Sequence, residues 1–467
     1  MASAVSRRRD GETVKWLRLR LLLLGAASSL GYLLVMARIS GHPVFLRWGF
    51  PLSDFLAVFL VYFIPLFLLA MAGAWWTFRS TTDDAATLGL IIGFALLFRL
   101  LLLPTPPVLS SDIFRYVWDA RIQTSGMNPY LSRPADFDGE DVKKDPLYQQ
   151  QNRPLARTIY PPLAQMAFRA ARAAAGESVP ATKTLMVLGD LAGMIILMHL
   201  LQALGLPRAR VIIYAWHPLV VFEIAGSGHV DALAVPCILL AILAWQRRQD
   251  ALAGIALGAA TLIKIFPVLL IPALFTRRRR SILLGCGGTI LLGYLPFLPG
   301  AGLQVLGHLP RFLADPNEMF NPSLMGLVFL LTSFASRAPA YWSSWVGKAA
   351  LLCTLAWLLR RDADTFHDLL ARVWIIAGAI TLFTLTLHPW YLLWLVPFLA
   401  IQPRPEWIYL SGAIAITYSF YLIAPATRGL IGVLEYLPFL LLACRGWREY
   451  VLIRSGAPRP GFVGRTP

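Results

Sequence analysis

The chain has 467 residues, of which 57% are apolar and only 14% charged, and it carries a formal net charge of +17 with a mean hydropathy of +0.62. A soluble domain has about a quarter of its residues charged, so this composition excludes a water-soluble fold and describes an integral membrane protein. The positive excess sits in arginines that flank apolar runs, where membrane orientation and anionic lipid headgroups account for it, so a lipid bilayer and not nucleic acid is the expected partner.

Apolar runs suited to a hydrocarbon core of roughly 30 Å lie at 17–37, 55–77, 86–103, 182–203, 211–225 and 231–246, and again at 281–298, 343–359, 367–387, 389–402, 406–424 and 430–444. They predict an all-α, polytopic transmembrane protein of about 12 to 14 membrane segments. It reads as one domain over 1–467, divided into amino-terminal spans (1–85), a long loop (104–181) and the remaining spans (182–450). The run from Leu19 to Ala37 exceeds the apolar core of a signal peptide and has no small-residue cleavage site before Arg38, which predicts an anchor.

Lys264 and Pro267 interrupt 252–276, a stretch too short for two spans and long for one. The clusters Arg7–Arg9, Arg208/Arg210, Arg247/Arg248, Arg277–Arg280, Arg360/Arg361 and Arg445/Arg448 all fall on the cytoplasmic side if 252–263 rises, turns at Lys264, and 266–276 descends. That topology places 104–181, His229 to Asp231, Lys264, 299–342 and His388 to Tyr391 together on the outer side. Cys237, Cys286, Cys353 and Cys444 stand singly and far apart, with neither disulfide nor metal spacing.

The loop opens with a helix signal: Ser110 or Ser111 as N-cap and Asp112 in the first turn. At the helical period Asp112, Arg115, Tyr116, Asp119 and Gln123 form one stripe, while Ile113, Phe114, Val117 and Trp118 point elsewhere. An amphipathic helix is expected at the outer membrane surface, apolar side in the lipid and charged stripe toward a cavity. Gly126 ends it, and Asn128-Pro129-Tyr130 makes a turn. On an ordinary surface helix Asp112 would merely cap and pair with Arg115; here Arg157 to Pro162 and the other outer-side polar groups surround it.

Lys264 costs about 3 kcal/mol at the centre of a spanning helix unless it meets a partner or water, and snorkelling to the headgroups is its alternative reading. His229 and Asp231 open a helix just after Gly226 and Gly228, as a cap or as ligand contacts. His388, Trp390 and Tyr391 line a pocket or belong to an interfacial aromatic belt. Arg99, Asp190 and Glu223 are expected to pair between helices. The stretch His308 to Pro322, with Arg311, Asp315, Asn317, Glu318 and Asn321, is a candidate acceptor gate. Asp112 and Asp119 lie roughly 10 Å apart along a helix, and no closely spaced acidic pair suggests a metal–diphosphate site, so no metal or other cofactor is expected.

The string Asp112 to Asp119, with Gly126 to Tyr130, Tyr160-Pro161-Pro162, Gly226 to Ala232 and Lys264 to Pro267, resembles the GT-C class of polytopic glycosyltransferases. Within it, the similarity is to bacterial mannosyltransferase-like enzymes of glycosyltransferase family 87 and its neighbours, over roughly residues 86–400. The resemblance implies a polyprenyl-phosphate-linked sugar donor and an acceptor activated by an aspartate in an early extracytoplasmic loop, the position of Asp112. It also implies a multi-pass protein of the bacterial inner membrane, with its active site facing the periplasm or exterior and a glycan or lipid as acceptor. Ala120 departs from the glycine of related sequences, and the first two spans read as an added module.

The chemistry agrees. A phosphate leaves without a strong acid, so one carboxylate base suffices, unlike the pair of a glycosidase. Fixed cations stabilise the charge that develops on the departing phosphate; Lys264, Arg115 and His229 are the candidates, with Tyr116, Asp119, Tyr160, Asp231, His388, Trp390 and Tyr391 as substrate contacts. The expected reaction is inverting transfer of a hexose, foremost mannose, to a hydroxyl. A transporter or flippase of a lipid-linked sugar is the alternative, since transporters also break helices beside a charge; the other half of the chain shows no second copy of the 252–276 pattern. An enzyme that polymerises or ligates glycans at the outer leaflet stands third.

Overall fold

The computed structural model describes residues 2–40, 52–80, 82–137, 139–276, 279–316, 318–361, 364–423 and 427–455. In hydrocarbon every backbone polar group needs a partner within the protein, and helices supply it: among the described residues the single bridge Phe320–Thr386 is the strand-like element. In chain order the longer helices are α1 (Ala2–Ser40), α2 (Leu52–Phe78), α3 (Ala85–Leu102), α4 (Asp112–Thr124), α5 (Pro162–Ala175) and α6 (Val179–Ala203). They continue with α7 (Asp231–Gln246), α8 (Asp250–Ile263), α9 (Arg280–Tyr294), α10 (Leu324–Ser333), α11 (Pro339–Leu359), α12 (Phe366–Phe383) and α13 (Arg428–Ser455).

Among the described residues, eight helices are long and apolar enough to cross a membrane, or nine if Arg208–Ala215 and Pro218–Gly226, bent by 63°, count as one broken span. The other expected segments exist but are short or interrupted. Helices α7 and α8 are shorter apolar helices, the segment expected at 406–424 is divided into Pro405–Ala413 and Ile414–Tyr421, and the one expected at 389–402 forms only brief turns at Pro389–Leu392 and Phe398–Ile401. Pro389 and Pro397 explain this last case, because proline removes a backbone donor and clashes with the preceding turn. Helix α10 was not among the expected spans.

Two devices hold the bundle around α4. Arg99 of α3 pairs with Asp190 of α6, both buried; Arg99 also donates to the Ala215 carbonyl at 2.7 Å, and the Tyr214 hydroxyl donates to Asp190 at 2.6 Å. This is the interhelical pairing expected of intramembrane charges. Helices α8 and α9 meet through small residues: a Cβ on Gly258 would lie 2.8 Å from the Cys286 carbonyl oxygen, and one on Gly285 would lie 2.7 Å from that of Ala251. Glycine there lets the two backbones touch.

Helix α4 begins at Asp112 and ends before Gly126, whose φ of +80° suits a residue without Cβ. Of the two serines expected at its start, Ser111 makes no side-chain capping bond, and the Ser110 hydroxyl accepts from the Asp112 amide at 3.2 Å. Its apolar side also differs. Ile113, Val117 and Ala120 are buried within the protein, and Tyr116 stacks on Phe168 of α5 at 4.4 Å. Phe137 and Tyr148 of the loop cover Trp118 edge-on. The loop therefore supplies the apolar surface that lipid was expected to provide.

At the far end of α4, Arg121 donates to Glu177 at 2.8 Å, and Arg172 of α5 pairs with the same carboxylate. Hydrogen bonding to Arg121 and then Arg172, outweighing partial burial, pulls the Glu177 carboxyl down to about 2 from its ordinary 4.5. A depressed carboxyl stabilises the fold above its unfolded value and loses that effect as the pH falls toward its folded value. The melting-temperature difference between wild type and Glu177→Gln in detergent is expected to be constant above pH 5 and to vanish between about pH 4.5 and 2.

Candidate active site

A cavity of about 1110 Å³ opens beside the first turn of α4, above the roughly 300–1,000 Å³ of most ligand pockets and large enough for two substrates. Its lining includes the polar side chains of Ser110, Asp112, Arg115, Asn152, Arg153, Arg157, His308 and Glu318. It also includes the apolar side chains of Phe266, Leu269, Leu351, Ile380 and Phe383. Lys264, Lys348 and Tyr391 also line it. Groups that the charge count assigned to one face thus meet in one chamber.

Asp112 presents a side chain that is 20% exposed, and one carboxylate oxygen accepts from the Asn152 amide at 2.9 Å. Among the described residues it carries no ion pair with lysine or arginine. The Asp112–Arg115 pairing of an ordinary surface helix is absent among the described residues: Arg115 turns to Asp119 one helical turn on, at 2.7 Å, and to the Ala156 carbonyl at 3.0 Å. Gln165 of α5 donates to the other Asp119 oxygen at 2.9 Å. Asp119 is thereby a buried anchor for Arg115, and neither it nor Tyr116 lines the chamber.

Lys264 caps the broken end of α8. Its amide donates to the Ala260 carbonyl at 3.0 Å, its ammonium meets Asp231 at 2.8 Å, and the Tyr391 ring lies 5.3 Å away. Asp231 is buried, and its second oxygen makes no hydrogen bond. Phe320, His388, Trp390 and His229 stack in sequence with ring centroids 4.4, 4.3 and 4.1 Å apart. His388 and Trp390 line the chamber while His229 lies beneath them, fully buried.

Tyr160 reaches the chamber by an edge, and burial together with nearby Asp112 holds its phenol well above the ordinary value, so it stays neutral. Burial and then Arg153 push the His308 imidazole down, which leaves it uncharged at neutral pH. Among the described residues no group of three or more His, Cys, Asp or Glu side chains is arranged to hold a metal ion.

Several chamber residues had no sequence signal. Asn152 and Arg153 come from an irregular stretch, and Arg153, at φ +51°, donates to Glu318 of a distant loop at 2.7 Å. Asn317 of that loop lies outside the described residues. Lys348 did have a signal, a lone cation inside the apolar run of α11, which by default marks a functional position.

A family model for the N-terminal domain of alpha-(1->6)-mannopyranosyltransferases, the MptA_B family, matches residues 19–278, more than half of the chain. The chain belongs to this family. The matched part of the mannosyltransferase contains Asp112, Asn152, Tyr160, His229, Asp231 and Lys264, whereas Glu318, Lys348, His388 and Trp390 come from beyond it. No curated protein and no solved structure matches the chain.

Proposed function

We propose that this mannosyltransferase works as a GT-C enzyme, moving mannose from a polyprenyl-phosphate donor to a hydroxyl of a glycan or lipid acceptor at the outer face of the bacterial inner membrane. The observation that carries the reading is the chamber itself: among the described residues a carboxylate without a lysine or arginine partner, Asp112, and an ammonium at a helix break, Lys264, in a lining of both polar and apolar side chains. A sugar phosphate on a long hydrocarbon needs both kinds of lining. The charge count along the sequence, which puts the arginine clusters that flank the apolar runs on the cytoplasmic side, supports the outer placement.

In the proposed step the acceptor oxygen forms a bond to the anomeric carbon as Asp112 takes the hydroxyl proton. The bond from that carbon to the phosphate oxygen breaks, and its electron pair stays on the phosphate beside Lys264. A single displacement inverts the centre, so the α linkage in the family's description calls for a donor whose mannose is β-linked to phosphate. The 1->6 linkage makes the nucleophile a primary hydroxyl. No acid is required, since phosphate leaves unaided, and the reaction is expected to proceed without a metal.

The test is a transfer assay with purified protein in lipid vesicles, offering radiolabelled polyprenyl-phosphate mannose or glucose with a crude membrane-lipid acceptor pool. Covalent product from the mannose donor is expected. Movement of donor across the bilayer without product would overturn the proposal in favour of a flippase, and product from the glucose donor alone would overturn the sugar.

A further inference from the structure

His229 lies behind the chamber lining, against Asp112 and Trp390. It follows a tight turn: the Ser227, Gly228 and His229 amides donate to the Phe222, Ile224 and Glu223 carbonyls at 2.8, 2.9 and 3.0 Å, the first across a π-helical turn at Phe222–Gly226. Such turns cost regular helix geometry and recur at functional sites. Gly228, at φ +78°, packs against α4 so closely that a Cβ there would meet Ile113, and would lie 3.0 Å from Lys183. The result is a histidine ring driven directly beneath Asp112.

The ring lies between two carboxylates. Its Nε2 is 3.3 Å from Glu223 and its Nδ1 is 3.9 Å from Asp112, while Trp390 covers one face. Glu223 is itself fully buried, and its other oxygen accepts from the Tyr418 hydroxyl at 2.6 Å. Neither ring nitrogen makes a hydrogen bond of normal geometry, and the Glu223 oxygen that faces the ring is likewise unpaired. Unpaired polar atoms at this depth are costly, and these lie between Glu223 and Asp112.

We propose that His229, with a proton on both ring nitrogens between two carboxylates, is a positioning residue for the base: its Nε2–H is held by Glu223 and, once the acceptor is seated, its Nδ1–H donates to Asp112 and fixes the carboxylate's aim. This rests on the reading of Asp112 as the base. Asn152 already holds one carboxylate oxygen; His229 would hold the other, leaving a single direction from which a hydroxyl proton can be accepted. The gap must shorten by about 1 Å to reach hydrogen-bond distance, as catalytic contacts do on substrate binding. A donor to an ionised carboxylate does not make it a stronger base, so the contribution is orientation, where misplacement by about 1 Å costs on the order of 10²-fold.

The experiment compares His229→Leu, His229→Asn and Glu223→Gln, each checked for wild-type thermal unfolding, by steady-state kinetics with donor and acceptor varied separately. His229→Leu is expected to lower kcat about 10²-fold with both KM values nearly unchanged. His229→Asn, whose amide N–H can stand near the Nδ1 position, is expected to recover at least about ten-fold of that loss. Glu223→Gln keeps shape and volume, and is expected to lower kcat in the same way even if the histidine variants fail to fold. Wild-type kcat in Glu223→Gln or His229→Leu, a loss confined to donor KM, or an asparagine variant no better than leucine would overturn the assignment alone. Full activity of Asp112→Asn would overturn the base and this inference together.

Discussion

Asp112→Asn is expected to remove mannosyl transfer, lowering kcat by between about 10² and 10⁴, while donor affinity stays within about two-fold of wild type. The substitution is nearly isosteric, and the amide oxygen can still accept from Asn152, which donates to the native carboxylate at 2.9 Å. Helix α4 keeps its start as well, because the backbone amide at this position is held by the Ser110 hydroxyl and not by the carboxylate. What disappears is a group able to take a proton at neutral pH. Donor binding, measured by retention of labelled polyprenyl-phosphate mannose, separates this outcome from a collapsed chamber. A variant that turns over at the wild-type rate would exclude Asp112 as the base, and one that has lost donor binding would assign it to the ground-state complex instead.

The parts of this site that were legible in the sequence are those set by local rules. Helix α4 and its end at Gly126 follow from a capping serine, an acidic first turn and a residue free to adopt positive φ. The break at Lys264 follows from a cation and a proline in an apolar run. Periodicity could not say what the apolar face of α4 touches, because loop rings and an acyl chain satisfy it equally; the packing of Phe137 and Tyr148 on Trp118 decided for protein. Nor did hydropathy distinguish a full span from a broken one, since Pro389 and Pro397 interrupt a run whose composition is unchanged. Asn152 and Arg153 escaped notice for a different reason. Their partners lie 40 residues and 165 residues away, and no local pattern encodes such a contact. His229 was visible as a polar residue after two glycines, but its depth depends on Trp390, far along the chain.

Lys264→Met is expected to weaken donor binding by about 10- to 100-fold, the loss of one charge-assisted contact worth about 1.5–3 kcal/mol. Taken alone, that variant is ambiguous. Asp231 is only 3% exposed and one of its oxygens is already unpaired, so removing the lysine leaves a buried carboxylate without its cation, a defect that costs about 3–5 kcal/mol of stability. Fold and affinity would then fall together. The double variant Lys264→Met/Asp231→Asn separates them, because it removes the orphaned charge along with the cation that paired with it. Its melting temperature is expected to return toward wild type while donor affinity remains low. If Lys264 instead serves only to neutralise Asp231 and seal the end of α8, the double variant would bind donor as well as wild type does, and the departing phosphate would have to be met by Arg115, Arg153, Arg157 or Lys348, the other lysines and arginines that line the chamber.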